Sequence, residues 1–381
     1  MKKVRNVIIW VIVSVIVQTG ILYYFNNYYF GSTTKVVGKQ IQNTTKKINN
    51  ISVFIPKDAD QIKISQSGKY AYYYSQNQYY VVNMLDGKIN KIDLDVSPTN
   101  VGLCWLIDRD AIMILEKDGS QFQAYTYNPV TNSKDLNRDS NDEMQKYNLG
   151  YNLKFIDIKQ NNISTHTFIK VATSKESLRR YIYRLDISNG LEQMDLPIHN
   201  IGDYYIFKPE DKLVYEDEVD KKVYITDQNQ ETQPVNIDGV DQCKLLGVDD
   251  TNGYVYIGKL ENGSITTIYY ASLKSEDTTN SISSNSNIKS NNSIGKKKTT
   301  YSNDSFNPSW SELHLNETVT PENIYISPYG DIYTIDNLKG FVKNEKTNKK
   351  TTFDGKYFGM SDDDVISFNQ DTGKLIETKL N

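Results

Sequence analysis

The chain has 381 residues, with 43 Lys and Arg set against 47 Asp and Glu and a formal net charge of −4. Acidic and basic residues are interleaved, so no basic face or stripe offers a footprint for nucleic acid. The hydrophobic fraction of 38% includes 29 tyrosines, and Tyr, Ile, Val and Thr lean the composition towards strand. Abundant Asn, Lys, Ile and Tyr are also what an AT-rich genome writes, so no single Tyr or Asn run is evidence on its own.

Residues 7–25 read VIIWVIVSVIVQTGILYYF, with no charge and only Ser14, Gln18 and Thr19 polar. A spanning helix needs about 20 mostly apolar residues. A lone segment in lipid satisfies its backbone only as a helix. Lys2, Lys3 and Arg5 precede the span and the next positive charge is Lys35. That asymmetry predicts a single-pass anchor with residues 1–6 as a cytoplasmic stub and the remainder extracytoplasmic, placing the protein at a cell membrane. Tyr23, Tyr24, Phe25, Tyr28 and Tyr29 suit an interfacial aromatic belt. A cleaved signal peptide has an apolar core of about 7–15 residues and small residues at its cleavage site. Here the core is longer, its end is bulky, and no cysteine follows to carry a lipid. Residues 31–50 are polar, and 26–50 read as a stalk.

From residue 51 to 381 short apolar or alternating runs are separated by Gly, Asn, Asp and Pro turns, and no amphipathic helix appears. Residues 61–94 divide into four strands, IKIS, KYAYYY, YYVVNM and INKIDL. Residues 322–354 repeat that plan, and noisier copies start at Val101, Leu153, Ile201 and Gln242. Most start-to-start intervals are roughly 40–50 residues, close to the period of a four-stranded propeller blade. Phrases such as NMLDGKINKIDL, NPVTNSKDL and NQDTGKLIETKL share a polar run, a Gly or Asn turn and an outer strand.

The tail, 356–380, holds three strands. Ile51–Ile55 would supply the fourth and close the ring, hiding both sheet edges. The expectation is an all-β propeller of seven four-stranded blades preceded by one transmembrane helix. Six blades follow instead if the tail belongs to blade six, and a pair of β-sandwiches is the other arrangement the pattern allows. Residues 275–308 are Ser-, Asn- and Thr-rich and read as a disordered insertion in blade five, with 309–317 returning as its last strand.

Ile64-Ser65-Gln66-Ser67-Gly68 and Ile326-Ser327-Pro328-Tyr329-Gly330 match the "IS-x-x-G" phrase that opens a blade before an aromatic strand. On those residues the chain resembles bacterial extracytoplasmic propellers of the TolB-like and WD40-like (PD40) kind. The resemblance implies a propeller over 51–381. It marks a turn and implies no activity.

Cys104 and Cys243 fall in the first strands of blades two and five, on roughly opposite sides of the ring. A disulfide needs Cα atoms within about 7 Å, so two free thiols are expected. His166, His199 and His314 fall in blades three, four and five with no zinc-binding spacing. No G-x-S-x-G elbow, P-loop or dinucleotide fingerprint is present. Asp249-Asp250 with Asn252, and Asp362-Asp363-Asp364, could ligate calcium but sit where turns are expected. Glu216-Asp217-Glu218 reads as a solvated turn or strand end. The runs Tyr72-Tyr73-Tyr74, Tyr79-Tyr80 and Tyr204-Tyr205 read as packing between blades rather than exposed stacking surfaces. Lys296-Lys297-Lys298 reads as solubilising, with contact to an anionic polymer or lipid heads as the alternative.

No catalytic, metal or cofactor residue is nominated, and the balance favours a binding or scaffold module over an enzyme. The expected partners are the membrane, through the N-terminal helix, and a protein, peptide or cell-wall polymer. A propeller hydrolase or lyase on an envelope substrate is one alternative. A sensory ectodomain or accessory subunit of a membrane complex is the other.

Overall fold

A computed structural model describes Gln18 and residues 51–138, 144–186, 190–274, 306, 308–361 and 364–381. The chain divides into two units, Met1–Ile48 and Asn49–Asn381. Among the described residues every strand lies in the second unit. The expected stub, span and stalk lie outside the described residues except for Gln18, as does most of 275–308. Among the described residues no helix is long and apolar enough to cross a membrane.

Hairpin turns punctuate the chain through one recurring device. An Asn or Asp ends a strand, and its side-chain oxygen accepts backbone N–H groups two and three residues on. Asp217 accepts from Val219 and Asp220, Asp249 from Thr251 and Asn252, Asp336 from Leu338 and Lys339, and Asn344 from Lys346 and Thr347. A residue with positive φ then closes the turn: Lys221, Gly253, Gly340 and Asn348. Short Asx side chains favour this local bonding, and Gly or Asn tolerates the left-handed backbone that follows. Asp249 is therefore a turn former. The IS-x-x-G phrase is the other turn. Gly68 N–H donates to Ser65 O and Gly330 N–H to Ser327 O, joining a first strand to a second.

These turns cut the chain into seven antiparallel sheets. Their first strands are Asp60–Ile64, Val101–Trp105, Lys154–Gln160, Ile201–Phe207, Cys243–Asp249, Ile324–Ile326 and Lys356–Ser361. Every predicted blade start falls within two residues of these. Each sheet has four strands in sequence order, except that the outer edge of blade two is shared by Ser133–Leu136 and the short Tyr147–Asn148. The last sheet is composite. Ile51–Phe54 pairs antiparallel with Lys374–Lys379, Val53 opposite Leu375.

Seven buried apolar clusters fill the seven junctions between neighbouring blades. One of them joins the two ends of the domain, with Val53, Ile62 and Ala71 against Phe368 and Leu375. The fold is a seven-bladed β-propeller.

The aromatic runs pack as expected except at Tyr74 and Tyr205, which are half-buried and border cavities. Tyr72, Tyr73, Tyr79 and Tyr204 are buried, Tyr73 stacks on Tyr80, and Tyr204 Oη donates to Phe168 O across a blade junction. Cys104 and Cys243 are free and buried.

Three expectations need correction. Glu216 and Asp217 are not solvated, since each is only 3% exposed. Glu216 faces the next blade and meets a lysine there. His199 lies in the connector between blades three and four, after Gly190–Gln193 and before Ile201–Phe207. Phe306, within the expected insertion, forms a parallel bridge with Val235 of blade four. Its ring packs edge-on against Trp310, whose Nε1 donates to Asn236 O.

Candidate functional site

First strands line the axis of a propeller, so the chemistry of the channel is decided by which of their side chains point inward. Alternation alone does not settle this here. The first strands of blades one, three, four, five and seven all carry a register shift against their second strands. A bulge leaves a residue outside the ladder and re-aims its side chain. In blade seven the shift falls between Tyr357 and Gly359, and it turns Phe358 into the channel.

The result is a cavity of about 490 Å³ to which every blade contributes, through Lys63, Trp105, Lys159, Tyr205, Val248, Tyr325 and Phe358. A second cavity of about 680 Å³ opens beside it over blades one to three, lined by Gln61, Tyr74, Thr99, Lys154, Asp157 and Lys175 among others. Lys63 and Phe358 border both. Trp105 is held by its Nε1 donating to Lys63 O and by the Tyr72 ring stacked on it at 5.8 Å.

Charges around the channel fall into two groups. Some are paired. Lys63 lies 3.5 Å from Asp157, Lys208 2.7 Å from Asp250, and Lys244 2.6 Å from both Asp203 and Glu216. Glu216 also accepts from the backbone N–H of Asp203 and Leu245, tying blade four to blade five. Gly202 makes room for it, since a Cβ there would collide with the carboxylate. Burial opposes the charge on Asp203 and Lys244, but their mutual attraction wins. Asp203 is held below the usual carboxylate range and Lys244 above the usual lysine range.

Lys159 and Lys170 form the other group. Lys159 Nζ donates to Tyr204 O at 2.5 Å and lies 4.1 Å from the centroid of the Tyr205 ring. Lys170, 7% exposed, donates to Gly202 O at 2.9 Å. Burial lowers both lysines from their ordinary value. Neither has an ion pair among the described residues.

The histidines do not converge. His314 is 71% exposed, beside Thr267 Oγ1. His199 lies against the Tyr181 ring. His166 Nδ1 sits 2.6 Å from Asp211 Oδ2 and its Nε2 3.8 Å from Asp186. Asp211 also accepts from Asn161 Nδ2 and Ser164 Oγ, so it clamps the inner turn of blade three to that of blade four. His166 lines neither cavity. Among the described residues no group of three His, Cys, Asp or Glu has metal-ligand geometry. Burial pushes the Cys104 thiol up to about 12 and Cys243 to about 11, which keeps both as inert apolar side chains. Lys296-Lys297-Lys298 and Asp362-Asp363 lie outside the described residues.

Residue type and spacing do not single out Trp105, Lys159, Tyr325 or Phe358. The available signal was position: each sits in a first strand, the one place where an aromatic or cationic side chain reaches the axis.

No protein-family model matches the chain, and no curated protein matches it in sequence. Solved structures do match. Oligogalacturonate lyase in complex with manganese superposes with a TM-score of 0.54 at 11% identity, over 87% of this chain and 91% of that one. Virginiamycin B lyase from Staphylococcus aureus gives 0.51 at 9% identity, over 87% and 99%. The WD40 β-propeller domain of Doa1 gives 0.47 at 12% identity, over 86% and 95%. At such identities the likeness is one of fold.

Proposed function

We propose that the protein is a membrane-tethered binding or scaffold module of the bacterial cell envelope. On this reading the helix 7–25 holds the propeller outside the membrane on the stalk 26–50, and its channel mouth takes a protein, peptide or cell-wall polymer without chemical turnover. The observation that carries it is the channel lining. Rings from Trp105, Tyr205, Tyr325 and Phe358 converge with ammonium groups on one cavity. Aromatic side chains in a concave, partly dry site supply contact area and stacking, which is binding chemistry.

The fragment 49–381 contains the whole ring, including its closing strand. It is expected to be retained by purified wall-polymer fragments or solubilised envelope proteins. Tyr325→Ala should weaken that retention about ten-fold, the effect of losing one central aromatic anchor. Glycan, peptide and ester panels should pass through unchanged, and turnover of any of them contradicts the reading.

A second reading, hydrolase or lyase, draws on one observation: His166 between Asp211 and Asp186. The geometry weighs against it, because Asp211 is engaged by three side chains in a turn-to-turn clamp away from the cavities. If turnover is found, His166→Ala decides whether this cluster carries it.

A further inference from the structure

An ammonium group has three donors and is costly to remove from water without an anion. Lys159 uses one donor on Tyr204 O and gains some support from the Tyr205 ring. The nearby carboxylates Asp157 and Asp203 favour the Lys159 charge through space but offset only part of its burial, and their close contacts are with other lysines. Asp157 pairs with Lys63, Asp203 with Lys244 and Asp250 with Lys208. Lys170, behind the same Tyr204 ring, adds a second cation with no ion pair among the described residues. A fold that needed only packing at this position would be served better by Met, which fills similar volume without the desolvation cost. Lys159 lines a cavity whose other walls are largely aromatic and aliphatic, with Lys63, Gln160, Lys208 and Asp250 as the polar members.

We propose that the channel binds a small organic oxyanion. Its charged head would pair with Lys159, and its flat apolar body would lie among Trp105, Tyr205, Tyr325 and Phe358. A cavity of about 490 Å³ falls within the usual range for small-molecule sites. The head can be a carboxylate or a phosphate monoester, since both accept from an ammonium donor. The proposal rests on the reading of the channel as a binding site and adds a small-molecule ligand inside the channel to the macromolecular partner at its mouth.

Calorimetric titration of the fragment 49–381 tests it with indole-3-acetate, phenyl phosphate and the neutral indole-3-acetamide. At least one of the two anions is expected to bind about ten-fold or more tighter than the amide, the usual scale of a charge-assisted hydrogen bond. Binding of the acetate identifies a carboxylate site, and binding of phenyl phosphate alone a phosphate site. Lys159→Met should abolish the preference for anion over amide while raising the thermal midpoint, so that loss of binding is not confused with misfolding. Lys159→Arg should keep the preference.

Equal affinity for anion and amide, no binding of either anion, or an undiminished preference in Lys159→Met would overturn the proposal. These outcomes separate from those of the broader reading. Substrate turnover with the anion preference intact sinks only the non-catalytic function. Retention on envelope material with no anion preference sinks only the oxyanion.

Discussion

A fragment beginning at Pro56 is expected to open the ring and lose stability on the scale of the whole domain. It lacks Ile51–Phe54, which forms the outer strand of blade seven, and Ile55, whose N–H donates to Gly373 O. Val53 is 5% exposed and Ile55 6%. Burying two such side chains contributes about 3–6 kcal/mol, against a net stability of order 5–15 kcal/mol for a folded domain. The deletion also bares the edge of Lys374–Lys379, a template for pairing with another chain. Compared with the fragment 49–381, the shortened one should melt at much lower temperature and self-associate in size-exclusion chromatography. Equal midpoints with both fragments monomeric would mean that the ring does not depend on its first strand.

Lys244→Met should cost about 3 kcal/mol, the scale of breaking a buried ion pair by removing one partner. It leaves Glu216, 3% exposed, with two backbone donors but no cation. Adding Glu216→Gln to Lys244→Met should recover a good part of the loss, because the uncompensated charge is what costs. The pH dependence has a definite sign. Lys244 is raised in the folded state, so its contribution is full below the unfolded lysine value near 10.4 and is lost as pH rises through the folded value. Asp203 is lowered, so its contribution is full above about 3.9 and is lost as pH falls through the folded value. Both contributions are therefore present across the neutral range. Chemical denaturation of the wild-type fragment and the two variants at pH 7 checks the ranking. A single variant as stable as the wild type would show that Glu216 reaches water.

Most of the architecture was legible because its causes are local. Alternation, Asx turns and the IS-x-x-G phrase act within a few residues, so the seven blade starts could be read to within two residues, from Gln61 to Lys356. The closing strand was legible for a related reason: the tail held three strands and ISVFI at the other end was left over. The site was not legible, because its causes are long-range. Bulges between Phe155 and Asp157, and between Tyr357 and Gly359, shift which face each following residue takes. Period-two counting therefore loses the channel-facing set. Glu216 was misread as solvated because its lysine lies 28 residues on, in the next blade. Lys159 looked like any strand lysine, and only the packing of Tyr204 and Tyr205 around it shows where its charge goes.

The channel contains its own reporter. Of the three tryptophans in the sequence, Trp105 and Trp310 lie in the fragment 49–381, and only Trp105 lines the channel. In a Trp310→Phe fragment all indole emission comes from the cavity wall. Titration with the wall-polymer or envelope fraction that retains the fragment is expected to give a saturable change in that emission, with a midpoint matching the retention assay. Full retention with no change at Trp105 would place binding elsewhere on the propeller and contradict the channel as the functional site.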